Sequence, residues 1–163
     1  MKILATCLEN SANLHLKSVL YELIKREKIE LYGIFSKDIE NFLNSQDGAL
    51  AHASYDSLEF NAMGFMQILP LIFKAKRAIK ELKKLANSVD AVLLIDSPDF
   101  NLPLAKALKN AKIRAKITYY ILPQVWAWRK GRAKQVEKYC DNIASIWPFE
   151  KDFYQGASFV GHP

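Results

Sequence analysis

Residues 91–101 read AVLLIDSPDFN, and the fold of the chain turns on how this stretch is read. The five apolar residues Ala91–Ile95 are too few for a helix standing alone and rich enough in branched side chains for a strand buried on both faces. The run stops at Asp96. Pro98 lacks a backbone N–H and disfavours helix in the residue before it, so the chain must leave the strand through an extended turn. Asp99 or Asn101 can then cap the following helix. A carboxylate at the end of a buried parallel strand, just before a turn, lies where open α/β sheets place their ligands, which makes Asp96 the first candidate for chemistry. The plainer reading, that Asp96 only hydrogen-bonds the turn, stands beside it.

Working outward, strand and helix patterns alternate on both sides. Residues 2–7 read as a first strand and residues 14–28 as a helix, with Leu16, Val19, Leu20, Leu23 and Ile24 on one face and Ser11 or Asn13 as its cap. The loop between them carries Glu9, Asn10, Ser11 and Asn13, so Glu9 and Asp96 are expected to face one crevice. No G-x-G-x-x-G occurs there, which argues against a dinucleotide pyrophosphate loop. Further strands are expected at 30–36, 49–54, 116–122, 142–146 and 158–160, with helices at 39–43 and 102–109 and a short one in PFEKDFYQ. This alternation predicts a mostly parallel sheet in an α/β, three-layer, Rossmann-like domain.

At 163 residues the chain is one domain's worth, able to bury roughly two thirds of its unfolded surface without staples. Cys7 and Cys140 lie far apart with no metal-type spacing and read as reduced, buried thiols; no metal is expected. The amino terminus has no longer apolar core or cleavage site and reads as a strand rather than a signal peptide. No stretch reaches the roughly 18–20 apolar residues of a membrane span. A net charge of +6 and a pI near 9.2 favour an acidic partner, whether nucleic acid, anionic lipid or phosphorylated substrate.

Residues 63–87 read as one helix whose arc of Ile68, Leu71, Ile72, Ala75, Ala78, Ile79, Leu82 and Leu85 should pack on the sheet. The opposite arc begins with Phe65, Met66, Leu69 and Phe73 and continues with Lys76, Arg77, Lys80, Lys83 and Lys84. Apolar side chains running into a basic cluster suit a surface that dips into a bilayer while its lysines meet anionic headgroups. The alternative is that 65–73 packs under a neighbouring loop or a second domain, and Pro70 starts or kinks the helix. Beyond the strand at 116–122, Trp126, Trp128, Arg129, Lys130 and Arg132 form a set able to stack on a ring and pair with phosphate. The same set also reads as packing tryptophans followed by a solvated basic helix, and no recognised nucleic-acid motif accompanies it.

Several separated stretches agree with one family. Met63-Gly64-Phe65 before an apolar helix, DSPDFN at 96–101, YYILPQVWAWR at 119–129, PFE at 148–150 with Tyr154 behind it, and FVGHP at 159–163 together resemble lipid-A-disaccharide synthase, in the same order along the whole chain. The resemblance implies the amino-terminal, acceptor-side half of a GT-B glycosyltransferase with two Rossmann-like domains, the carboxyl-terminal UDP-sugar domain being absent. It implies an inverting transfer that joins UDP-2,3-diacylglucosamine to 2,3-diacylglucosamine 1-phosphate with release of UDP, without a cofactor, at the anionic cytoplasmic surface of the inner membrane of Gram-negative bacteria. Asp96 matches the family's general base and Glu9 the acidic residue of its first loop. Substrate contact is expected from Ser11, Asn13, Met63, Gly64, Asp99, Asn101, Gln124, Trp126 and Arg129, and membrane contact from Phe65, Met66, Leu69, Phe73, Lys76 and Arg77. Where the family's first loop reads Gly-Glu-Xaa-Ser-Gly-Asp, this chain has Leu8, Ala12 and Asn13, so only Glu9 and Ser11 carry over. The last residues, Gly161-His162-Pro163 after a strand, read as a hinge before what should follow, and the chain alone is expected to be inactive. Two other classes stand against this one. A non-catalytic membrane or lipid-binding module, truncated or half of a split enzyme, shares the helix surface, whereas a flavodoxin-like nucleotide-binding regulator explains neither that surface nor the tryptophans.

Overall fold

The computed structural model describes residues 1–60 and 68–162, with the side chains of 68 and 69 excepted. Among the described residues seven strands form one sheet in the order β3-β2-β1-β4-β5-β6-β7, with every neighbouring pair parallel. The strands are β1 (Lys2–Cys7), β2 (Ile29–Phe35), β3 (Ala49–Asp56), β4 (Ala91–Ile95), β5 (Lys116–Tyr120), β6 (Asn142–Ser145) and β7 (Ala157–Phe159). Helices α1 (Asn10–Ile24), α2 (Lys37–Asn44), α3 (Ile68–Leu85), α4 (Pro98–Asn110) and α5 (Gly131–Tyr139) connect them. The expected α/β, Rossmann-like three-layer domain with a parallel sheet is the fold observed.

Alternation along each strand splits the core in two. On β1, Ile3, Ala5 and Cys7 join Leu16 and Leu20 of α1 on one face of the sheet, while Leu4 joins Val92, Leu94 and the helices α3 and α4 on the other. Tyr119 and Tyr120 at the end of β5 likewise go to opposite faces. Strands β1 and β2 approach so closely at Gly33 (φ 130°) that a Cβ there would sit 2.0 Å from the Ala5 carbonyl oxygen, so only glycine fits.

Strand order reverses between β1 and β4, whose registers run from Ile3 opposite Ala91 to Cys7 opposite Ile95. The carboxyl ends of these two strands therefore open onto the topological switch point, the ligand crevice of doubly wound sheets.

Helix starts differ from those expected. α1 begins at Asn10, directly after β1, and places Asn13 inside the helix rather than at its cap. α4 begins at Pro98 with Ser97 in the capping position, so Asp99 and Asn101 lie within it. Strand β5 ends at Tyr120 because Ile121 turns to φ 60°, a costly conformation for a β-branched residue. The expected helix after Pro148 is a short 3-10 turn, Pro148–Asp152. Along α3, Ala78 and Leu82 are buried and Leu71, Ala75, Ile79 and Leu85 pack against the core as expected, whereas Ile72 is 45% exposed.

Candidate active site

The last residue of β4 leads into two successive non-glycine residues with left-handed backbone, Asp96 (φ 53°) and Ser97 (φ 42°). Such a conformation costs on the order of 1–2 kcal/mol per residue, least for Asp and Asn. A buried network holds it. The Asn101 amide nitrogen donates to the carbonyls of Ile95 (3.2 Å) and Asp96 (2.8 Å), the Thr6 hydroxyl donates to Asn101 Oδ1 (2.7 Å), and the Tyr119 hydroxyl donates to the Asp96 carbonyl (2.7 Å). The Asp96 N–H itself donates to the Tyr120 carbonyl at 3.0 Å. The turn is thus tied to β1, β5 and α4 together, and the Asp96 side chain is left half-buried at the edge of the sheet.

Burial raises the pKa of Asp96 above the ordinary carboxylate range, against the opposing pull of the Ser97 N–H and the His15 imidazole. Glu9, at the end of β1, is also raised, first by burial and then by the charge of Asp96. The charge of Asp96 thus acts on Glu9 across the switch point. No Lys or Arg among the described residues pairs with either. A cleft of about 340 Å³ runs from Glu9, Ser97 and Pro98 to Phe60, Leu71 and Ala75, polar at one end and apolar at the other. The Ser97 hydroxyl is buried beside it without a hydrogen-bond partner among the described residues.

Two residues expected at the substrate instead support the loops. Asn101 is wholly buried, with both amide atoms bonded within the chain. Asn13 is buried as well, donating to the Glu9 carbonyl at 2.9 Å and accepting the Ser36 N–H at 2.8 Å, so it fixes the first loop to the start of α2. Ser11 and Gln124 are exposed at the carboxyl side of the sheet.

The tryptophan and arginine set divides. Trp126 packs edge-on against Phe149 at 4.9 Å and tilts onto Phe153, whereas exposed Trp128 lies under the Arg129 and Arg132 guanidinium groups. Both arginines converge on the Asp99 carboxylate, Arg129 at 3.0 Å. Asp99 and Arg129 are therefore neighbours across a depression of about 430 Å³, and Trp126 belongs to a separate aromatic group. In the PFE stretch Glu150 is buried, accepts the Trp147 N–H at 3.2 Å and holds the turn.

On α3, Phe73 is 67% exposed and Lys76, Arg77, Lys80, Lys83 and Lys84 line the exposed side beyond it, Arg77 pairing with Glu81 at 3.1 Å. Pro70 lies in the first described turn, where proline does not break a helix. The expectations for Met63, Gly64, Phe65 and Met66, and for the Leu69 side chain, lie outside the described residues. No helix among the described residues is long and apolar enough to cross a membrane.

Sequence reading did not single out His15 and Tyr120. The Tyr120 carbonyl accepts the Asp96 N–H at 3.0 Å, and the Tyr120 hydroxyl lies 3.5 Å from His15 Nδ1. The one signal was a histidine six places after Glu9, in the first helix at the same edge of the sheet.

A doubly wound sheet whose switch point carries a half-buried carboxylate on a left-handed turn is the architecture of α/β domains that take ligands at the carboxyl edge of the sheet. The family model described as lipid-A-disaccharide synthetase matches residues 3–163. Lipid-A-disaccharide synthase of Campylobacter jejuni (strain RM1221) is 51% identical over all of this chain and 45% of that protein, and the synthase of Helicobacter pylori (strain J99) is 43% identical over 99% of this chain and 41% of that protein. Anabaena Alr3699/HepE, whose crystal structure is a complex with UDP and glucose, matches in fold over 99% of this chain and 44% of its own, with a TM-score of 0.61 and 11% identity. The chain belongs to the lipid-A-disaccharide synthetase family. It spans less than half the length of the curated relatives it matches.

Proposed function

We propose that this chain is the acceptor-side, amino-terminal domain of a lipid-A-disaccharide synthase, an inverting GT-B glycosyltransferase that joins UDP-2,3-diacylglucosamine to 2,3-diacylglucosamine 1-phosphate and releases UDP. The observation that carries the reading is Asp96, half-buried on a doubly left-handed turn at the switch point with its pKa raised. Asp96 takes the proton of the acceptor hydroxyl as that oxygen attacks the anomeric carbon. The bond from that carbon to the diphosphate breaks, and UDP leaves with the electron pair. A raised carboxylate pKa makes the group the stronger base once ionised. Glu9 stands at the same edge of the sheet, and Ser11, Asp99, Gln124, Trp126 and Arg129, spread over neighbouring parts of that edge, are the candidates to contact the sugars or phosphates.

The exposed Phe73 and the lysines beyond it support a peripheral seat on the anionic cytoplasmic face of the inner membrane, and the sequence expectation of membrane contact from Phe65, Met66 and Leu69 belongs to the same reading. The family's remaining length supplies the donor site, so the chain alone turns over little or nothing.

The test is disaccharide formation from the two lipid substrates by this chain alone, by this chain with the carboxyl-terminal part of a full-length relative, and by each with Asp96→Ala. Activity only on complementation, falling by about 10²–10⁴-fold with Asp96→Ala, is expected for a general base. Activity that survives Asp96→Ala overturns the assignment. Sedimentation with anionic vesicles tests the membrane seat: Phe73→Ser with Lys76→Glu and Lys80→Glu should leave the protein in the supernatant, and unchanged co-sedimentation refutes the seat. Vesicle binding without turnover on complementation points instead to a non-catalytic lipid-binding module, which the same exposed surface would also suit.

A further inference from the structure

His15 plays no part in the chemistry described so far, yet it is built into the same site. It lies in the second turn of α1, half-buried, with its ring edge-on to Tyr120 (5.8 Å between centroids, 88°) and edge-on to His162 (5.3 Å, 73°). Trp147 stands behind His162 at 5.7 Å. Tyr120 joins this wall to the catalytic turn: its hydroxyl meets His15 Nδ1 at 3.5 Å, and its carbonyl accepts the Asp96 N–H at 3.0 Å. An imidazole held between two rings has little freedom to leave the wall that Tyr120 ties to the Asp96 turn.

The charges around the pair give that placement a consequence. The titratable groups that act on Asp96 or feel its charge are Cys7 from β1, Glu9 from the first loop, His15 from α1 and Tyr119 from β5. Glu9 repels the Asp96 carboxylate, Cys7 and Tyr119 are held neutral by burial, and Arg129 and Arg132 are both engaged by Asp99. Of these groups only His15 can offer positive charge. Facing His15 in turn are Asp96, which favours its protonation, His162, which opposes it, and the Tyr120 hydroxyl.

We infer that His15 is a positioning residue of the Asp96 site, an imidazole held by Tyr120 and His162 whose protonation is coupled to that of Asp96 and shifts the pH range over which Asp96 is ionised. The inference deepens the proposed function and rests on it for its catalytic meaning, but the coupling itself is a property of the chain. Each group changes the other's proton affinity by the same factor, as linkage requires. In the acid range, where His15 is charged, it favours the Asp96 carboxylate, so removing it must narrow the range in which the base is available.

The experiment is a titration of this chain followed by NMR, reading the His15 ring nitrogens and the Asp96 carboxyl carbon in wild type, Asp96→Asn, His15→Gln and Glu9→Gln. Asparagine tolerates a left-handed backbone, so Asp96→Asn should fold. The expected result is a downward shift of the His15 pKa in Asp96→Asn and an upward shift of the Asp96 pKa in His15→Gln. Glu9→Gln should lower the Asp96 pKa. A His15 pKa that does not move in Asp96→Asn overturns the inference, and that arm stands even if His15→Gln fails to fold. In the complemented synthase, His15→Gln should move the acid limb of the rate profile to higher pH, which a residue with only a packing role would not do. Because the titration uses no substrate, failure of the complementation assay would sink the proposed function and leave the coupling intact.

Discussion

At the amino-terminal ends of the strands, Lys2 pairs with Glu30 at 3.2 Å, Asp90 accepts the Lys2 N–H at 2.7 Å, and Asp141 binds Lys109 at 2.7 Å and the Ile117 N–H at 2.9 Å. At the carboxyl-terminal ends of the same strands, Glu9 and Asp96 have no Lys or Arg partner among the described residues, and each lies under conditions that disfavour its charge. Burial works against the Asp141 carboxylate too, yet the Ile117 N–H and the Lys109 ammonium hold its pKa below the usual value, whereas that of Asp96 rises. Both edges are built from the same residue types on the same sheet. One edge spends its charges on holding the fold and the other keeps them available, which is the expected signature of a functional edge.

The contrast can be broken by substitution. Asn101→Ala should have the largest effect on stability, because it leaves the Thr6 hydroxyl without its buried acceptor and removes the donor to the Ile95 and Asp96 carbonyls. A loss of about 2–3 kcal/mol is expected, lowering Tm by roughly 5–10 °C for a chain of this size. An unchanged melting curve would mean that the strained turn does not depend on this network.

Smaller and opposite effects distinguish the two acids. Asp141→Asn should cost about 1 kcal/mol at neutral pH by weakening a charge-assisted contact. A carboxylate with a lowered folded pKa contributes stability above its unfolded value, lost as pH falls through the folded one, so this deficit should vanish in acid. Asp96→Asn should do the reverse. A raised folded pKa makes ionisation a burden that grows as pH rises from the unfolded value, so the variant should be the more stable protein at neutral pH and match wild type in acid. Denaturant melts at neutral and acid pH read both, and a destabilised Asp96→Asn at neutral pH would contradict the contrast.

Much of this edge was legible in the sequence because its signals are local. Ala91–Ile95 followed by Asp96 and Pro98 announces a buried strand and the residue that leaves it, and the alternation around it gives the parallel sheet. Where α1 and α4 begin was not legible. Each start is fixed by a partner far away, Asn13 by Ser36 and Asn101 by Thr6, the latter 95 residues distant in sequence. The same cause hid the supporting roles of Asn13 and Asn101, which read as polar loop residues until their partners are known. His15 was hard to read for a related reason: Glu9, six places before it, was its one local signal, and Tyr120 reaches it from 105 residues away.

The position of β1, between β2 and β4, also bears on how the chain is made. Its pairing with β2 closes early, but its other side waits for β4, with contacts such as that between Lys2 and Asp90 spanning 88 residues. At roughly 5–20 residues per second of synthesis, the nascent chain carries an open central strand for about 4–18 seconds before its partner emerges. During that interval the β1 side that will receive β4 is a bare hydrogen-bonding edge, the kind of surface that chaperones cover. Long-range parallel pairing of this kind pays its loop-closure entropy before the contacts form, which slows folding.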